Sequence, residues 1–142
     1  MAQFNVGSAS DFFIEVVSPL YSTFVADNAN VAKAVSAIVM SYHLFDWVTG
    51  RKFEENHFND RYPEKPKLAA DFEIARLLTN GIKHDLGNIQ TRTQSGFSSG
   101  FSNEFARPLV IVRPDGSKIS VDDLLHSMFY FWQEQHDKGW PL

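Results

Sequence analysis

The chain has 142 residues, a formal charge of −4 and no cysteine. That length fits one domain with a core of its own, and the missing thiols exclude disulfides, zinc–thiolate sites and a cysteine nucleophile. The acidic balance disfavours broad electrostatic binding to nucleic acid or to an anionic membrane, though it leaves room for a local basic face. No apolar run approaches the length that spans a bilayer. The N-terminal MAQFNVGSASDFF lacks the basic stretch and apolar run of a signal peptide, so a cytoplasmic, soluble protein with no membrane partner is expected.

Aromatic residues make up 14% of the chain, thirteen of them Phe, so the core should be bulky. Residues 1–8 read as a lead-in, with Ser10 and Asp11 as N-cap candidates for a first helix. Its core face is Phe13, Val16, Val17, Leu20 and Phe24, and Pro19 should kink or split it. DNAN, residues 27–30, breaks the pattern. A second helix follows from about Val31 to about Thr49, apolar nearly all round and therefore expected at the centre of the fold. Residues 50–67 are charged and carry two prolines, which reads as a long surface connection with an extra helical turn at its start. A third helix begins near Leu68, with Phe72, Ala75, Leu78 (or Leu77) and Ile82 as its apolar stripe.

Residues 87–108 are rich in Gly, Ser and Asn, with Phe97, Phe101 and Phe105 at intervals of four. A structureless connection of that length is uncommon in a compact domain; it reads as a mobile segment, a lid or a ragged strand. Its phenylalanines suit either stacking on bases or anchoring the segment to the bundle. LVIV, RPDGSK and ISV then form a β-hairpin, with Pro114, Asp115 and Gly116 at the turn. Ser120 and Asp123 are the cap and first turn of a last helix, DDLLHSMFYFWQEQH (residues 122–136), whose core face is Leu124, Leu125, Met128, Phe131 or Trp132, and Gln135. The expected fold is mainly α: one bundle of four to five helices, up and down, with a small β-hairpin inserted before the last helix.

The polar residues of the helices are the candidates for function. Arg76, Asn80 and His84 lie four apart, so each turns about 40° past one full turn and the three form a ridge, flanked by Lys83 and Asp85. An imidazole suits acid–base work near neutral pH, a cation stabilises developing negative charge, and an amide orients a phosphate or a ring. This is the equipment of metal-free RNA cleavage. On the second helix His43 and Asp46 share a face, next to Tyr42. One reading is a buried polar bridge, with Asp46 paired to His43, Arg76, Lys83 or His84. Another is a pocket shared by the two helices. A third is a metal site of His43, Asp46 and His84.

The stretch LTNGIKHDL resembles the signature of HEPN-type helical-bundle proteins, in which an Arg, a polar residue (often Asn), three further residues and a His lie on one helix, commonly followed by Asp. Asn80, His84 and Asp85 match in register, and Thr79 stands where the family has its Arg. Arg76 lies three residues earlier, nearly one turn away. The resemblance implies a homodimer in which two motifs meet. Active members are RNases or toxins, and degenerate ones are RNA-binding or scaffold domains. With Thr79 in the Arg position it implies a non-catalytic or weakly active domain, RNA-related or associated with toxin or defence systems. Asn80 and His84 would then be its site, with Arg76, Lys83, Tyr42, His43 and Asp46 in support.

Two other readings stand beside it. Asn80–Gly81 also marks a helix ending, with Lys83 and His84 favoured by the helix dipole there. The protein would then be a binding or scaffold factor, encoded by a phage or another mobile element, whose polar residues only set helix packing. His57, His126 and His136 have no supporting pattern. No phosphate-binding glycine loop, nucleophile elbow or dinucleotide fingerprint occurs, so no cofactor is expected.

Overall fold

The computed structural model describes residues 5–84, 90–93, 109–113 and 115–142, with backbone alone for 82–84 and 90–93. It is a helical bundle with a β-hairpin before the last helix. Helix α1 (Ala9–Phe12) runs through a five-residue π turn (Phe13–Val17) into α2 (Ser18–Ala26). The N-cap is Ser8, not Ser10 or Asp11: its hydroxyl accepts from the Asp11 N–H at 3.1 Å. The Asp11 carboxylate accepts in turn from the Gly7 N–H at 3.1 Å. Pro19 does not split the helix. It has no N–H to donate, and the wide π turn just before it absorbs the misfit, with the Ser18 N–H reaching back to the Phe13 carbonyl.

Helix α3 (Val31–Thr49) has the expected bounds. The Asn30 side chain caps its start by accepting from the Lys33 N–H at 3.0 Å. Gly50 ends it at φ 71°, the left-handed conformation that glycine adopts without strain. Only one stripe of α3 is sealed: Ala34, Ala37, Ile38, Ser41, Leu44 and Phe45. Trp47 is 42% exposed and Asp46 lies open to solvent, so the helix is not buried all round.

The charged connection is less superficial than its composition suggests. It holds a helix of its own, α4 (Glu55–Arg61), and buries Phe53 and Phe58. Both rings pack on Phe72, at centroid distances of 5.4 and 5.5 Å. Helix α5 (Pro66–His84) starts on proline, a residue preorganised for a first helical position. It passes through Asn80 and Gly81 without ending there.

Strands β2 (Leu109–Val112) and β3 (Lys118–Ser120) form the hairpin, with Ile111 opposite Ile119 and Gly116 at φ 87° in the turn. A further strand, β1 (Gln90–Thr93), pairs antiparallel with the other edge of β2. Part of the glycine-rich stretch is thus the strand that was one of its three readings. Phe97, Phe101 and Phe105 lie outside the described residues. Helix α6 (Val121–Asp137) starts on Ser120, whose hydroxyl accepts from the Asp123 N–H at 3.2 Å. Both Phe131 and Trp132 are buried, together with Leu124, Leu125, Met128 and Gln135.

The core centres on Phe72, which stacks on Phe53 and meets Phe45, Phe58, Phe131 and Trp132 edge-on or tilted. Such clusters gain from ring quadrupoles as well as from area removed from water. No helix among the described residues is long and apolar enough to cross a membrane.

Candidate functional site

Because α3 buries the stripe that runs through Ser41, Leu44 and Phe45, the adjoining stripe Val39, Tyr42, His43 and Asp46 falls at the edge of the core. Helix α5 does the same with Glu73, Arg76, Thr79 and Asn80, beside buried Phe72 and Ala75. Phe53, anchored on Phe45 and Phe72, carries the chain across the end of both helices. Lys52, Glu54, Glu55 and Asn56 follow it and form the remaining wall. The result is an open cleft of about 1060 Å³ between α3 and α5.

Five of the residues singled out from sequence therefore line one hollow: Tyr42, His43, Asp46, Arg76 and Asn80. The side chains of Lys83 and His84 lie outside the described part of the molecule, so neither is placed. Among the described residues the polar bridge does not form through His43 or Arg76. Asp46 is exposed, and no hydrogen bond joins it to His43 or to Arg76. The partner of Arg76 is instead Glu73, one turn earlier on the same helix. Its Nε–H donates to both carboxylate oxygens of Glu73, at 2.9 and 3.1 Å. That charge-assisted bonding raises the guanidinium pKa, while desolvation opposes the rise and the nearby Glu73, Tyr42 and Glu55 add to it.

Thr79 is 8% exposed. Its hydroxyl donates to the Ala75 carbonyl at 2.8 Å, one turn back on α5. The helix thus turns this side chain to the floor of the cleft and satisfies it locally.

Tyr42 lies half-buried on the α3 wall. Burial pushes its phenol pKa up, the Asp46 carboxylate adds to the rise, Arg76 opposes it, and Glu73 adds a smaller push. The phenol is therefore neutral and available as a hydrogen-bond donor. The cleft carries four carboxylates, Asp46, Glu54, Glu55 and Glu73, against Lys52 and Arg76. Sequence reasoning missed Glu73 and the acidic wall at Glu54 and Glu55. The Glu73–Arg76 spacing of three was the available signal for the first. The wall had none, because only the anchoring of Phe53 brings it to α3. Among the described residues, no three His, Asp or Glu side chains gather as a metal ion would require.

Comparison with protein-family models, with curated proteins and with solved structures found no match.

Proposed function

We propose that this chain is a HEPN-like helical domain that works by binding rather than by catalysis, with the α3–α5 cleft as its binding site. The observation that carries the reading is the state of the two α5 positions that a cleavage mechanism would need. Thr79 replaces the family's Arg and is bonded to its own helix. Arg76, the substitute cation, is already held by Glu73. A cation committed to a carboxylate has little left to offer a developing negative charge. What remains is a hollow of ligand-binding size with an aromatic face, an amide and an imidazole on its walls. The family resemblance adds a homodimer and an RNA or protein partner to this proposal, and the composition adds a cytoplasmic setting.

Two measurements test it. Purified protein should cleave single-stranded RNA no faster than His84→Ala does; cleavage that disappears in that variant at unchanged melting temperature would overturn the binding-only reading. A fragment screen by heteronuclear NMR on the full chain should shift the amides of Tyr42, His43 and Asn80. A library that leaves those amides silent removes the cleft as the site. Sedimentation reads the dimer, and a strict monomer refutes it.

A further inference from the structure

We infer that the α3–α5 cleft receives a basic peptide segment, with an arginine or lysine side chain held by the carboxylates of Asp46 and Glu55. The inference rests on the binding reading above and names the chemistry of the ligand. Among the described lining residues, four carboxylates stand against two permanent cations, Lys52 and Arg76, a formal excess of two negative charges. Inside that set, Glu73 and Arg76 cancel one another, and Glu54 has the His57 ring at 3.2 Å. Asp46 and Glu55 have no ion-pair partner among the described residues. Among the described lining residues they share the cleft with one exposed cation, Lys52.

A phosphate chain entering this hollow would meet surplus negative charge, whereas a cationic segment is drawn in. The Tyr42 ring on the wall adds a π face of the kind that guanidinium groups favour. The same chain already displays both modes internally: Arg61 sits 5.0 Å over the Tyr62 ring, and Glu73 grips Arg76 with two oxygens. At about 1060 Å³ the cleft has room for more than one side chain, which suits an extended peptide better than a free amine.

The test titrates isotope-labelled full-length protein with a short peptide of alternating arginine and glycine. A matching glutamate–glycine peptide and a single-stranded RNA oligonucleotide serve as alternatives. The arginine peptide should shift the amides of Tyr42, His43 and Glu55, and added salt should weaken the effect. The double variant Asp46→Asn, Glu55→Gln should bind it at least about tenfold more weakly. Glu15→Gln with Glu64→Gln removes the same charge at exposed positions away from the cleft. That control should stay within about twofold of the parent. Equal weakening in both double variants overturns the inference, as does a cleft that answers to the RNA or to the glutamate peptide instead. A cleft that takes neutral fragments but ignores the arginine peptide overturns this inference and leaves the binding site standing. A cleft silent to everything overturns both.

Discussion

Glu73 and Arg76 form a two-point ion pair along one turn of α5: Nε–H donates to Oε2 at 2.9 Å and Nη2–H to Oε1 at 2.5 Å. The pair sits partly open to solvent, so its worth for folding is small. Its worth lies in where it holds charge, which Tyr42 reports. Asp46 raises the Tyr42 pKa and Arg76 lowers it. Replacing Asp46 by Asn removes a negative charge that disfavours the tyrosinate, so the Tyr42 pKa should fall. Replacing Arg76 by Gln removes a cation that favours it, so the pKa should rise. NMR titration of the tyrosine ring resonances reads both, and shifts of the same sign in the two variants would show that these groups do not share one field.

Gly81 gives a second test, of the helix itself. It lies inside α5, and a Cβ built on it meets nothing within 4 Å. Glycine inside a helix costs roughly 1 kcal/mol relative to alanine, largely through the freedom it gives the unfolded chain. Gly81→Ala should therefore stabilise the protein by about 0.5–1 kcal/mol in urea unfolding. A destabilised variant would mean that the chain leaves helical conformation at this position, as the Asn-Gly pair alone suggests.

That pair shows where local reading of the sequence stops. The long amphipathic stretches were legible because apolar spacing dictates them: α3 and α6 lie within one residue of their expected bounds. The hairpin was legible from its turn residues. Asn80–Gly81 weakens a helix locally, but packing of the α5 stripe outweighs that cost, and no local signal carries this information. The burial of Phe53 and Phe58 was hidden for a related reason. Charged neighbours lower the mean hydropathy of their segment, and only the rings of Phe45 and Phe72 explain why two phenylalanines turn inward. The site was legible in parts. Helical spacing put Tyr42, His43 and Asp46 on one face and Arg76 and Asn80 on another. That the faces meet is tertiary, and so is the exposure of Asp46.

Asp71 should make stability depend on pH in an unusual direction. The residue is buried on α5, and burial pushes its carboxyl pKa up from 3.8 despite the hydrogen bond from Lys67 at 2.8 Å and a smaller opposing influence of the nearby Ser127. A carboxyl whose folded pKa is raised binds its proton more tightly in the folded state. Its ionisation therefore costs stability, beginning as pH rises past 3.8 and complete above the raised folded value. Asn cannot ionise. Asp71→Asn should match the parent near pH 3 and gain on it as pH rises towards neutrality, since the exposed Lys67 loses little by losing its partner. Melting temperatures of both proteins across that range give the answer. A difference that shrinks with pH would mean that the Lys67 contact outweighs the cost of burial.

The link between α6 and α3 carries the largest single expected loss. The Trp132 indole is fully buried, and its N–H donates to the Ser41 carbonyl at 2.9 Å across the core. Ser41 lies one residue before Tyr42, so this bond fixes the height of α3 against α6 at the level of the cleft. Trp132→Phe removes the donor and leaves a void where the second ring was; together these should cost about 2–4 kcal/mol. Trp47 is the control, since its ring is 42% exposed and Trp47→Phe keeps an aromatic against Phe12. That change should stay within about 0.5 kcal/mol. In urea unfolding the first variant should lower the midpoint at an unchanged slope. A midpoint shift no larger than that of the control would mean that the α3–α6 contact is held by the surrounding phenylalanines and not by this bond.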